Sequence, residues 1–121
     1  MININDAVNS LHIEMTGAIA TAVVNENGML LAAKGSGIDM EIAARGNSEV
    51  VRAKLRTMKS LGLKDHIEDI VITLGKQLHL IHPLHKYEGT FIYVVLDKEN
   101  STLAMARHQL NNHRLKSVGL N

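Results

Sequence analysis

The 121-residue sequence has no cysteine, no tryptophan, one proline and three aromatic rings, Phe91, Tyr87 and Tyr93. Without cysteine there is no disulfide, no thiolate nucleophile and no sulfur-ligated zinc or iron–sulfur site, and a reducing, cytoplasmic setting is expected. Three aromatics are too few for the stacking platform on which single-strand binders hold bases. An excess of charge of one sign is also missing. Thirteen Lys and Arg against twelve Asp and Glu leave a formal charge of +1, so no global field draws in nucleic acid or an anionic membrane. No apolar run approaches the length of a bilayer span, and Met1-Ile2-Asn3-Ile4-Asn5-Asp6 lacks the basic start and apolar stretch of a secretion signal. Neither membrane insertion nor export is expected.

What is present is ordinary globular material: 45% hydrophobic and 21% charged residues, spread evenly, enough for one core and too few for two. Residues 1–121 therefore read as a single domain without linker, repeat or low-complexity tract. Ile4, Ala7, Val8, Leu11 and Met15 recur at helical spacing, with Asn5 or Asp6 as caps and Gly17 as a stop. Ala18 to Asn25 is rich in Val, Ile and Thr, and Asn27-Gly28 signals a hairpin into a second strand, Met29 to Lys34. Asp39 caps a long helix reaching Ser60 and closed by Gly62. Three strands follow, Asp69 to Leu74, Gln77 to His85 and Thr90 to Asp97, and then a helix from Thr102 to about Leu115. Phe91 to Leu96 is apolar at both parities, as a central strand covered on both faces requires. The order suits an α+β domain with one antiparallel sheet between helices.

Projected at about 100° per residue, the long helix carries three stripes. Ala44, Val51, Leu55 and Met58 form an apolar stripe wide enough to cover the domain's own sheet. Ala43, Gly46, Val50, Ala53 and Thr57 form a second, small or β-branched stripe about 130° away, which a lone amphipathic helix does not need. Gly46 inside a helix costs about 1 kcal/mol against Ala, so a close contact is expected there, either with a second subunit or with a loop of the same chain. Arg45, Glu49, Arg52, Arg56 and Lys59 make the third stripe. It reads as a solvated face whose internal Glu49 pairs contribute a few tenths of a kcal/mol, or as a docking surface for an acidic partner.

Catalytic constellations are not apparent, and neither metal nor cofactor is expected. In one extended strand His82 points away from His79 and His85, and those two stand about 20 Å apart, too far to share a metal. Pro83, which lacks a donor, is a place where that parity could change. His108 and His113 sit five apart on the last helix, the wrong spacing for one face. Glu68, Asp69, Asp97 and Glu99 fall at strand ends and turns, where polar residues belong in any case. No nucleophile elbow is present, and no Lys-Ser or Lys-Thr follows Gly35-Ser36-Gly37 at phosphate-loop spacing.

Gly17 to Val24, Asn27-Gly28-Met29-Leu30, the long helix, Tyr87-Glu88-Gly89-Thr90-Phe91-Ile92 and Leu103-Ala104-Met105-Ala106-Arg107-His108-Gln109-Leu110, in this order, resemble the Roadblock family. His79-Leu80-Ile81-His82-Pro83-Leu84 looks like that family's fourth strand. The family includes dynein light chains and bacterial gliding regulators. The resemblance implies a profilin-like, five-stranded antiparallel sheet with the long helix on one face and both terminal helices on the other. It also implies a homodimer through paired long helices and edge-to-edge third strands, placing Ala43, Gly46, Val50, Ala53, Thr57, Ile70 and Ile72 at or near the interface. Family members are non-enzymatic platforms, and several bacterial ones bind a Ras-like GTPase and stimulate its hydrolysis. Bacterial members commonly have Asn where Thr102 stands here, so that turn is expected to be capped differently.

Three functions follow for testing. The first is a regulatory platform for a small GTPase, with the Arg45 stripe as candidate contact. The second is a structural adaptor in a multiprotein complex without a nucleotide-linked partner. The third, a small-molecule site between sheet and helices, is not expected, since it needs a buried polar cluster that the strands do not show; a sizeable, ordered pocket lined by His79 or His85 would revive it.

Overall fold

The computed structural model describes residues 3–112, so the expected continuation of the last helix to Leu115 and the position of His113 lie outside the described residues. Helix α1 (Ile4–Glu14) is capped by Asn3, whose side chain accepts from the Asp6 amide at 2.9 Å, two or three residues earlier than the Asn5 or Asp6 caps that the sequence suggests. Its Ala7, Val8 and Leu11 are buried. Strands β1 (Ala18–Val24) and β2 (Leu30–Gly35) are joined by five residues, Asn25 to Met29, closed by a 2.9 Å bond from the Asn25 N–H to the Met29 carbonyl. There the Asn25 carboxamide oxygen accepts from the amides of Asn27 and Met29, and Gly28 takes a left-handed φ of 77°. A positive φ here is the physical content of the Asn-Gly signal.

Helix α2 (Met40–Ser60) starts at Asp39, whose carboxylate accepts from the Glu41 and Ile42 amides. It closes at Gly62 with paired bonds, Leu63 N–H to Met58 carbonyl and Gly62 N–H to Lys59 carbonyl, the arrangement that a left-handed glycine after a helix allows. Strands β3 (Ile70–Thr73), β4 (Gln77–Pro83) and β5 (Phe91–Asp97) precede α3 (Leu103–Asn112). Thr102 caps α3 through its hydroxyl to the Met105 amide at 3.2 Å, while Asn100 folds back onto Asp97. This settles how the substituted turn is closed. Strand β4 ends at Pro83, two residues short of the expected His85, because proline has no N–H for the ladder.

The five strands form one antiparallel sheet in the order β2-β1-β5-β4-β3. Strand β5 is central, and Phe91 through Leu96 are all buried. Its odd-numbered residues, Phe91, Tyr93 and Val95, pack with Ala20, Val24 and Ile81 beneath Ala44 and Val51 of α2. Its even-numbered residues, Ile92, Val94 and Leu96, pack with Leu80, Leu11 of α1 and Leu110 of α3. Each fully buried Leu, Ile or Phe contributes about 1.5–3 kcal/mol, so both layers are strongly held. Of the expected core stripe on α2, Ala44, Val51 and Met58 are buried and Leu55 is half-buried; Ser48 joins them because Gly28 of the hairpin tip lies over it.

His12 on α1 is tied to buried Thr21 of β1 by a 2.9 Å contact through Nδ1, and burial, followed by the nearby Lys34 charge, pushes its pKa down. Below the ordinary value of 6.5 the unfolded chain therefore takes up the proton more readily than the folded one, so stability present above that pH is lost as pH falls through it. Urea unfolding across a pH series should show this decline, and His12→Gln should flatten it. Gly35 has φ 104°, and a Cβ there would lie 2.2 Å from the Ile19 carbonyl oxygen. Gly35→Ala should lower unfolding stability by about 2 to 4 kcal/mol in the same assay.

Candidate functional site

The outward face of α2 is bare. Ile42, Gly46, Val50, Ala53, Thr57 and Leu61 succeed one another at steps of three or four residues and are all exposed, Ile42 at 62% and Leu61 at 65%. A Cβ built on Gly46 would meet nothing within 4 Å, so no loop among the described residues uses the groove that this glycine opens. The Thr57 hydroxyl donates to the Ala53 carbonyl at 3.0 Å, which satisfies its polar group within the helix. Sequence reasoning placed Ala43, Gly46, Val50, Ala53 and Thr57 on this stripe. Ala43 instead lies half-buried against the core beneath α2, while Ile42 and Leu61, which extend the stripe at both ends, were not included. Ile42 could have been found by continuing the four-residue step back from Gly46.

Strand β3 forms one edge of the sheet. It pairs with β4 along one side, and among the described residues no strand pairs with its other side, leaving an open edge. Ile70 packs beneath α2, whereas Ile72 and Leu74 are 39% and 44% exposed. An open strand edge carrying apolar side chains is an unusual surface for a lone domain.

The charged stripe is less uniform than its spacing suggests. Arg45, Glu49, Arg56 and Lys59 are exposed, but Arg52 is half-buried: it forms an ion pair with Glu49 and donates to the Glu26 carbonyl at 3.1 Å. It fastens the β1–β2 turn to α2 and is partly withdrawn from any docking surface.

A polar seam runs under α2. Tyr93 of β5 lies 2.8 Å from His79 Nδ1, and His79 Nε2 lies 2.8 Å from the Gln77 carboxamide oxygen. With that oxygen as acceptor, Nε2 carries the proton, Nδ1 is the acceptor and the Tyr93 hydroxyl donates. Asn47 of α2 hydrogen-bonds Tyr93 as well; burial raises the Tyr93 pKa against that bond, and burial lowers that of His79. The imidazole is held neutral. Tyr93→Phe should strand its acceptor, lowering stability by about 1 kcal/mol in urea unfolding, and nitrogen NMR of the imidazole should show the proton on Nε2 in the wild type.

On the opposite side of the sheet, β4 and α3 border an open cleft of about 600 Å³. Because β4 stops at Pro83, His85 leaves the strand and lines this cleft together with His82 and His66; the extended-strand reading, which put His85 on the same side as His79, does not hold. Arg107 of α3 spans one wall and grips Asp69 with two bonds, 2.7 and 3.0 Å, holding that carboxyl below its usual range, chiefly through the hydrogen bond. Glu68, also at this cleft, and Asp97, the last residue of β5, with Glu99 in the turn after it, do not assemble into a catalytic pair. Among the described residues no three His, Asp or Glu side chains stand close enough to share a metal ion, and no helix is long and apolar enough to cross a membrane.

No family model and no curated protein matches the sequence. Solved structures do share its fold. MglB from Myxococcus xanthus superposes with a TM-score of 0.79 at 19% identity, over 94% of this chain and 89% of its own. A Roadblock/LC7 domain from Streptomyces avermitilis gives 0.76 at 13% identity, over 96% and 93%. The gliding protein MglB of Thermus thermophilus gives 0.75 at 15% identity, over 96% and 88%. The chain therefore has the Roadblock/LC7 fold.

Proposed function

We propose that this chain is a homodimeric, non-enzymatic regulator of the Roadblock type, a platform that binds a small Ras-like GTPase. The observation that carries the reading is the bare α2 face, together with the open β3 edge and its exposed Ile72 and Leu74. Ile42, Gly46, Val50, Ala53, Thr57 and Leu61 make a surface that a second copy of the same helix fits, with glycine at its centre allowing close approach. Ile72 and Leu74 extend that surface onto a strand able to pair with its own symmetry mate. The fold shared with two MglB proteins, one of them described as a gliding protein, supports a regulatory role. In a dimer built this way, the two copies of Arg45, Arg56 and Lys59 flank the helix pair and offer cations to an acidic partner, with Glu49 and Arg52 bracing them.

Light scattering at micromolar concentration should give a dimer for the wild type and a monomer of unchanged circular dichroism for Gly46→Arg. The same protein should capture a Ras-like GTPase from its own genome in one nucleotide state and not the other. Arg45→Glu combined with Arg56→Glu should weaken capture about tenfold. A wild-type monomer defeats the platform reading. Equal capture in both nucleotide states defeats the regulatory part and leaves an adaptor.

A further inference from the structure

Strand β3, whose open edge the platform reading assigns to a second copy of the chain, is poorly secured by its own neighbours. It is four residues long, carries no charged side chain and, among the described residues, pairs only with β4. The nine residues before it, Leu61 to Asp69, contain neither helix nor strand, and seven of them are exposed. A strand this short at the end of a long loop frays readily. Once frayed, it cannot present its outward N–H and C=O groups in register to another chain.

Two side chains from the segment after β5 tie down its ends. Asp69 immediately precedes β3, and Arg107 of α3 reaches it through Nε and Nη2, with one bond to each carboxylate oxygen. The Asp69 side chain is only 18% exposed. Removing the guanidinium would therefore strip both bonds from a largely sheltered carboxylate, a heavier loss than that of an ion pair on open surface. At the other end the Lys98 ammonium donates to the Leu74 carbonyl at 3.4 Å, beside the Leu74 N–H bond to the Gln77 carbonyl that closes the turn into β4. The hold at Leu74 is long and exposed, whereas the one at Asp69 is short and doubled. Helix α3 packs on the face of the sheet away from α2, so Arg107 acts on the strand without belonging to the surface that the second copy would cover.

We propose that Arg107 is a positioning residue for self-association: by clamping Asp69 it keeps β3 ordered for edge-to-edge pairing, a role that rests on the homodimer of the platform reading. The dimer is then controlled from the face of the sheet that it does not use. A symmetric dimer contains the clamp twice. If its loss leaves each protomer with a competent edge about a third of the time, the dissociation constant rises by the square of that factor, about ninefold.

Sedimentation equilibrium of the full chain should accordingly show a dimer about tenfold weaker in Arg107→Gln and in Asp69→Asn, with circular dichroism unchanged. The double variant should be no weaker than either single one, because both remove the same pair. Amide hydrogen exchange, followed in the Gly46→Arg monomer, reads the mechanism without the dimer. Adding Arg107→Gln there should speed exchange at Ile70 to Thr73 at least about threefold while Phe91 to Asp97 exchange as before. An unchanged dissociation constant in both single variants, or losses that add in the double one, overturns the proposal and leaves the platform reading standing. Faster exchange that spreads through β5 also overturns it, since the pair would then be a general support of the fold. A wild-type monomer defeats both readings, so the two failures are distinguishable.

Discussion

The constraint on which this structure depends is the double burial of β5. Six successive residues, Phe91 to Leu96, are withdrawn from water, and alternate side chains leave a strand on opposite faces. Neither face can then be left to solvent, so one layer of helices cannot suffice. Helix α2 covers the odd-numbered side and α1 with α3 the even-numbered side. The strand also holds the sheet together laterally, since β1 and β4 both pair with it and β2 and β3 attach only through those two. Hydrogen bonding in the plane and apolar packing above and below converge on the same six residues.

Covering both faces leaves the outer side of α2 and the outer edge of β3 with no work inside the domain. Ser48, Val51 and Met58 are spent on the core, and Gly46 and Ala53 behind them are not. A helix that serves only its own sheet gains from larger polar side chains on its far side, with better helix propensity than glycine. Retaining Gly46 in the middle of α2 makes physical sense when another backbone is to pass close by. The polar seam of Asn47, Tyr93, His79 and Gln77, linked by hydrogen bonds within the chain, lies on the sheet side of α2.

The architecture was legible because its determinants are periodic. The helical spacing of Ala7, Val8 and Leu11, the continuous apolar run of β5 and the Asp39 and Gly62 boundaries of α2 each place an element within a residue or two. What the sequence concealed depends on contacts between distant segments. The retreat of Arg52 onto the Glu26 carbonyl needs the hairpin tip to be seated on α2, which no local pattern announces. Angle alone puts Ala43 on the outer stripe, but it packs against the core cluster beneath α2. The cleft was misread for a local reason. Treating Gln77 to His85 as one extended strand put His82 and His85 on opposite faces, and the end of the ladder at Pro83 brought them together.

The central place of β5 also bears on how the chain is made. Strands β1 and β2 leave the ribosome early as a hairpin, and β3 and β4 follow after α2, yet the two halves share no ladder of their own. Until Asp97 has been synthesised, the edges of β1 and β4 that will receive β5 stand open, each a template for pairing with another nascent chain. The last strand to emerge is the keystone. The interval before it arrives is when this polypeptide is most exposed to intermolecular error, and the stretch of chain through which a holding chaperone would be of most use.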